Sequence, residues 1–254
     1  MDESPMDRLW EVDLLRGIAI MLMVLYHFAF DLDYFGLVKI DVKSGVFLTI
    51  ARLAVTLFLL LVGLSLTLSF SRAVRLGRED RFKRRLFRRS IRILALAFCI
   101  TIVTYLLLGR GYIVFGALHM IGLSLPLAYP FLRLGRKNFI LGSILIILGG
   151  YVQDISVDHS WLFWLGLAPP DFYSLDYIPM LPWFGVVLCG VGLGCLLYPG
   201  YRRRLSLWDK PLTSQCTWIR VLCYLGRNSL AIYLVHQPLT ILLLFLGEAP
   251  LLGH

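Results

Sequence analysis

Residues 14–35 read LLRGIAIMLMVLYHFAFDLDYF, and this stretch decides the fold class. An apolar run of roughly twenty residues is long enough to cross a lipid bilayer as a helix. Comparable runs recur along the chain and predict seven spans, at 14–35, 46–70, 91–108, 112–132, 138–153, 181–199 and 219–246. The sequence therefore predicts an all-α, polytopic membrane helix bundle that forms a single domain over residues 1–254.

The composition agrees with a multi-pass protein of the cell membrane. Hydrophobic residues make up 58% of the chain and charged residues only 16%, whereas soluble domains average about 25% charged residues. The net charge of +9 does not indicate nucleic acid as a partner, because the basic residues lie in short loops between apolar runs. The five cysteines show no CxxC spacing, so neither a disulfide framework nor a metal site is expected. The first span exceeds a signal-peptide core in length and is expected to be retained.

The distribution of charge predicts the orientation of the chain in the membrane. Ten Lys and Arg residues lie between positions 72 and 92, and the loops at 133–137 and 201–210 are also basic. The segment 154–180 carries no Lys or Arg but includes Asp154 and Asp158. Because basic loops stay in the cytoplasm, we expect the N-terminus inside and the C-terminus outside.

Several polar residues reach the outer half of the predicted bundle. His27 follows Arg16 by eleven residues, which is three helical turns and about 16 Å, so both side chains face one side of the helix. His119 and His236 lie at a similar depth on other spans, and the last span carries a stripe of Ser229, Tyr233, His236 and Gln237. The other polar residues near this depth are Asp31, Arg52, Asp176 and Tyr177. Ionisable groups within spans usually face a bundle interior or a wet cavity, so the set predicts one polar pocket that opens outward.

Structural interpretations compete with this hypothesis. Any one of the three histidines is equally compatible with a hydrogen bond to a neighbouring backbone, and Arg16 alone is typical of a membrane anchor. Arg52 is compatible with an ion pair to Asp31. The spacing of Gly190 and Gly194 indicates close helix packing that would permit a homodimer. A Ser-His-Asp hydrolase is disfavoured because no G-x-S-x-G motif is present.

Five blocks in order along the chain carry a resemblance to a known family. They are VDLLRGIAIMLMVLYHFAFDL (12–32), FLLLVGLSLTLS (58–69), GALHMIGLSL (116–125), DYIPMLPWFGVVLCGVGLG (176–194) and LGRNSLAIYLVHQP (225–238). They resemble the bacterial and archaeal relatives of the catalytic membrane domain of heparan-α-glucosaminide N-acetyltransferase. Arginine, ten residues, then histidine is also the signature of acyltransferase family 3, within the wider transmembrane acyltransferase superfamily.

The resemblance implies transfer of an acetyl group from cytoplasmic acetyl-CoA to an amine or hydroxyl of an extracytoplasmic glycan. It points to a catalytic group of His27, Asp31, Asp176 and His236, in which His27 acts as general base or as a transient acetyl carrier. The residues expected to bind the CoA headgroup are Arg16, Arg227 and Asn228. The residues expected at the acceptor or at the developing oxyanion are Arg52, His119, Tyr177, Tyr233 and Gln237.

The sequence also departs from the heparan enzyme. That enzyme has more spans and a large lumenal domain, so heparan itself is not the expected acceptor. It also has an asparagine at the position of His27, so the expected role of His27 matches the polysaccharide enzymes of acyltransferase family 3 better. A transporter or flippase of a lipid-linked sugar, with the same polar groups along its path, is the main alternative. A structural or sensory membrane protein with satisfied buried histidines is a second alternative.

Overall fold

The long apolar runs form helices because a bilayer offers no water to the backbone, and a helix pairs its own N–H and C=O groups. The computed structural model describes residues 9–153, 155, 157, 160–201 and 216–248, and within them it is all-helical, without strands. The α-helices are α1 (Trp10–Tyr34), α2 (Gly45–Arg75), α3 (Glu79–Leu108), α4 (Ala117–Ala128), α5 (Asn138–Val152), α6 (Met180–Leu197), α7 (Thr217–Arg227) and α8 (Ser229–Glu248). The aspartates 154 and 158 and most of the basic loop 201–210 lie outside the described residues.

Five of these helices are long and apolar enough to cross a membrane: α1, α2, α3, α6 and α8. This confirms a polytopic helical membrane protein. α5 has 15 residues, which at about 1.5 Å per residue gives about 22 Å, less than the hydrocarbon thickness of about 30 Å. α4 has 12 residues and continues into a 3-10 helix, Tyr129–Lys137. The number seven and the orientation therefore stay predictions.

The span predicted at 219–246 is two helices. α7 ends at Arg227, and Asn228 turns the chain before α8 begins at Ser229. The backbone N–H of Asn228 donates to the carbonyls of Tyr224 and Leu225, while its own carbonyl accepts from Ile232 N–H. Asn228 therefore satisfies backbone groups of both helix ends at the junction.

The chain divides into two compact units, of which the first comprises Met1–Phe58 and Leu207–His254. In this unit α1 packs against α7 and α8. Two glycines allow the backbones of α1 and α7 to touch: Gly17 lies against the carbonyl of Leu222, and Gly226 lies against the carbonyl of Asp13. A side chain at either position would collide with backbone, so these glycines fix the approach of the two helices.

The second unit comprises Leu59–Ser206, and α6 lies at its centre. Gly190 of α6 packs on the backbone of Leu60 in α2, and Gly194 packs on Thr67. A Cβ atom built on Gly142 of α5 would lie 2.6 Å from the carbonyl oxygen of Gly185. The small residues that suggested a homodimer thus serve packing within the chain, and the dimer loses its support.

Candidate active site

A pair of histidines joins α1 to α8 in the first unit. The rings of His27 and His236 meet edge to face, with centroids 5.0 Å apart and an interplanar angle of 79°. His236 is 7% exposed, whereas His27 is half-buried. Helix geometry places both residues on the inner faces of their helices, so the structure brings together two of the three predicted histidines.

The backbone fixes the proton position of both neutral rings. His27 Nδ1 lies 2.9 Å from the carbonyl oxygen of Met23. His236 Nδ1 lies 2.8 Å from the carbonyl oxygen of Tyr233. A carbonyl oxygen only accepts, so each Nδ1 must donate and each neutral ring keeps a lone pair on Nε2. Among the described residues nothing donates to either Nε2 atom, and that of His236 is buried.

Asp31 lies one turn beyond His27 and is 2% exposed. Its Oδ1 accepts from Gln237 Nε2 at 2.6 Å and its Oδ2 accepts from Thr240 Oγ1 at 2.8 Å. The carboxylate of Asp31 therefore connects α1 to two residues of α8 that lie within one helical turn after His236. Both Asp31 contacts are with α8, and neither imidazole donates to it within the described residues.

A charged cluster lies toward the N-terminal end of α1. Asp13, itself 4% exposed, accepts from Arg16 at 3.4 Å and from Arg227 of α7 at 3.2 Å. Two guanidiniums from different helices therefore lie on one carboxylate, and a guanidinium is the side chain that binds phosphate through two parallel hydrogen bonds. Asn228, which follows Arg227 in the chain, is exposed, and its side-chain amide donates to the carbonyl of Tyr224 at 2.9 Å.

Tyr233 and Arg52 are two further predicted site residues in this unit. Tyr233 lies beside His236, with ring centroids 5.8 Å apart. Arg52 is exposed on α2, and the structure shows no ion pair between it and Asp31. The suggested Arg52–Asp31 pair is therefore wrong, because Gln237 and Thr240 occupy the carboxylate.

His119 belongs to the second unit and has partners of its own. Its Nδ1 accepts from Gly116 N–H at 3.3 Å, and its Nε2 lies 3.3 Å from Thr101 Oγ1. Thr101 gives its hydroxyl proton to the carbonyl of Ile113, so it accepts from His119 Nε2–H. With both ring nitrogens occupied and the ring 4% exposed, the contacts favour the structural interpretation of His119.

Asp176 and Tyr177 also have structural contacts in the second unit. Asp176 Oδ2 accepts from the backbone N–H of Ala117 at 3.0 Å, at the first turn of α4. A carboxylate at a helix N-terminus satisfies a free backbone donor there. The Tyr177 hydroxyl donates to the carbonyl of Phe163 at 2.6 Å. Burial raises the pKa of Tyr177 to about 12, which keeps this donor protonated.

Sequence reasoning missed Asp13 and Thr240. Asp13 precedes Arg16 by one helical turn, and this i, i+3 spacing of opposite charges was the available signal. Thr240 follows His236 by four residues, so it continues the polar stripe of the last span by one turn. Pro238 between them does not interrupt α8.

The comparison with known families supplies independent information. Residues 8–238 match the profile of the family described as Heparan-alpha-glucosaminide N-acetyltransferase, catalytic. This match covers most of the chain, including both histidines of the pair and the Asp13 cluster. Neither the curated proteins nor the solved structures contain a match to the chain.

Proposed function

The chain belongs to the heparan-alpha-glucosaminide N-acetyltransferase catalytic family and is thus a multi-pass membrane acetyltransferase, and we propose that it moves an acetyl group from cytoplasmic acetyl-CoA to an extracytoplasmic glycan. The acceptor atom is a hydroxyl oxygen or an amine nitrogen. The observation that carries this proposal is the pair of adjacent histidines, His27 and His236, each with a lone pair on Nε2.

The donor headgroup binds at the Asp13 cluster in this proposal. Arg16 and Arg227 come from two helices and share one carboxylate, so together they can still attract a phosphate. Asp13 holds the two guanidiniums at fixed positions before the donor arrives. Asn228, at the exposed end of α7, lies next to Arg227 and offers a further amide to the headgroup.

The distance along α1 connects this cluster to the histidines. Arg16 and His27 are eleven residues apart, which corresponds to about 16 Å of helix. An extended pantetheine arm that runs along α1 from the cluster would bring its thioester near His27. The charged phosphates would then stay at the end of α1 that carries Arg16, and the uncharged thioester would lie deeper in the bundle, because burying a charge in the membrane is costly.

The histidine pair supplies the acid–base chemistry. In direct transfer, the acceptor attacks the carbonyl carbon of the thioester and gives its proton to His27 Nε2. The C–S bond breaks, its electron pair leaves with sulfur, and the thiolate then takes the proton from the imidazolium. In the alternative route, His27 Nε2 attacks the carbonyl carbon of the thioester, the C–S bond breaks and the thiolate leaves with its electron pair. The acceptor then attacks the acetyl group on His27, its proton passes to His236 Nε2, and the acetyl–nitrogen bond breaks with its electron pair returning to His27. Gln237 and Tyr233 flank the pair and are proposed to contact the acceptor, and Arg52 is the remaining candidate for the oxyanion.

Labelled acetyl-CoA tests the proposal on the purified full-length protein. We expect saturable binding that Arg16→Ala and Arg227→Ala weaken and that His27→Ala leaves intact. Arg220→Ala is the matched control, since Arg220 is exposed on α7 and its side chain contacts Thr217.

Transfer is then measured to a panel of amino and hydroxyl sugars. His27→Ala should lower the rate of transfer by about 10²- to 10⁴-fold in a variant that still binds the donor. Full activity of His27→Ala would contradict the mechanism, and a folded protein that binds no acetyl-CoA would contradict the proposed donor.

A further inference from the structure

α3 is longer than the hydrocarbon layer that it crosses. Its 30 residues extend about 45 Å, whereas the apolar core of a bilayer measures about 30 Å. The residues from 81 to 92 are rich in Lys and Arg, and the apolar part follows from Ile93. The first turns of α3 therefore lie in the headgroup layer, where phosphate groups are concentrated.

An open groove runs along one face of these first turns. Its lining residues are Asp80, Lys83, Arg84, Phe87 and Arg88, whose spacing of three and four residues places them on a single face of the helix. The lining thus contains three cations, one exposed aromatic ring and one carboxylate. The Lys83 ammonium also lies 5.8 Å from the centre of the Tyr129 ring, which holds it beside the groove.

An exposed apolar stripe continues from the groove along the same face. Phe87, Ile91, Phe98 and Ile102 follow at helical spacing and are 42%, 64%, 58% and 58% exposed. Large apolar side chains this exposed on a membrane helix face acyl chains. A positive groove that leads into an apolar stripe matches the shape of a phospholipid, with a charged head and a hydrocarbon tail.

The positive-inside rule alone does not explain this arrangement. Orientation depends on the number of basic residues near a span and not on the helix face that they occupy. Arg81, Arg85 and Arg92 would serve orientation equally well, and they lie on the flank of α3 next to Arg88, outside the groove lining. Within the groove lining, Lys83, Arg84 and Arg88 stand beside the exposed Phe87, a combination that suits a ligand with both a charged and an apolar part.

We propose that the face of α3 formed by Lys83, Arg84, Phe87 and Arg88 binds one anionic phospholipid. Its phosphate pairs with the three cations, and one acyl chain lies along Phe87, Ile91 and Phe98. Basic side chains near a membrane surface attract anionic lipids, and a guanidinium binds phosphate through two parallel hydrogen bonds. This site is independent of the acetyl-transfer chemistry proposed above.

Native mass spectrometry of the full chain, with phosphatidylglycerol and phosphatidylcholine of equal chain length as probes, tests the site. We expect the wild type to retain one phosphatidylglycerol in preference to phosphatidylcholine. The triple variant Lys83→Gln, Arg84→Gln, Arg88→Gln should lose this preference by about tenfold or more. The matched triple variant Arg81→Gln, Arg85→Gln, Arg92→Gln removes the same charge from the neighbouring flank, outside the groove lining, and should keep the preference.

Further measurements separate this occupant from others. Phe87→Ala should weaken retention with no change in charge, and single Arg88→Gln serves if the triple variant does not fold. Equal loss in both triple variants, or equal retention of the two lipids by the wild type, would overturn the proposal. Displacement of phosphatidylglycerol by acetyl-CoA would assign the groove to the phosphates of the donor, and a change in oligomeric state in the first triple variant would assign it to a second copy.

Discussion

His27 of α1 and His236 of α8 meet edge to face at 5.0 Å, and each ring donates its Nδ1 proton to its own helix backbone. The backbone thereby fixes the tautomer that a general base needs. It also fixes the orientation of each ring, because a side chain bonded to its own helix cannot rotate without losing that bond. Both Nε2 atoms are thus prepared for proton transfer before any ligand binds.

Replacement of the two histidines should separate their roles from the fold. His27→Ala and His236→Ala should each lower the rate of acetyl transfer by about 10²- to 10⁴-fold, the usual contribution of a positioned general base. Single-turnover transfer from labelled acetyl-CoA provides the measurement. A variant with unchanged thermal unfolding and unchanged transfer would show that the replaced histidine takes no part in the chemistry.

The bond between Asp31 and Gln237 predicts a rescue experiment. Gln237→Glu places a second carboxylate against Asp31 and should lower the thermal stability, because two buried like charges repel. Asp31→Asn in the same chain restores a donor–acceptor pair with the roles exchanged, and it should recover most of the loss. The coupling free energy is obtained from the unfolding temperatures of the wild type, the two single variants and the double variant, all measured in the same detergent. Additive effects of the two changes would mean that the 2.6 Å contact contributes nothing.

The backbone contact at Gly226 predicts sensitivity to one methyl group. A Cβ on Gly226 would collide with the Asp13 carbonyl, so Gly226→Ala must push α7 away from α1, at a cost of about 1–3 kcal/mol for overpacking. The displacement also moves Arg227 from Asp13, and acetyl-CoA binding should weaken. Gly150→Ala is the control, since a Cβ there meets nothing within 4 Å. Equal stability of the two variants would contradict the contact.

The contacts of His119 predict a structural role alone. His119→Ala leaves the Gly116 N–H without an acceptor at the start of α4, and loss of a helix cap costs about 0.5–2 kcal/mol. We expect a lower unfolding temperature with unchanged transfer per folded molecule. His119→Asn keeps an acceptor close to the helix start and should recover part of the stability. A large fall in the transfer rate of the folded variant would return His119 to the residues expected at the acceptor or the oxyanion.

The sequence predicts the helical membrane class because hydropathy and length determine it directly. It also predicts that Arg16 and His27 share a face, since that follows from the periodicity of one helix. The partners of a side chain across helices do not follow from periodicity. Asp31 bonds Gln237 and Thr240 and does not pair with Arg52, because the rotation of α8 against α1 depends on packing. The depth of His119 is predicted from its number of residues into a span, and on that basis it matches the other histidines. Its hydrogen bonds, however, are to Gly116 at the start of α4 and to Thr101 of α3.

The break at Asn228 gives the last two helices separate registers. Arg227 ends α7, which is fixed to α1 through the Gly17 and Gly226 contacts, while α8 carries His236 and is fixed through Asp31. In one continuous helix, the angle between Arg227 and His236 would be fixed by their separation along the chain alone. With the break, one residue added after Asn228 turns α8 by about 100° and leaves the charged cluster in place. Under the proposed function, such a change would alter the orientation of the histidine on α8 and leave the proposed anion site at Arg16 and Arg227 unchanged.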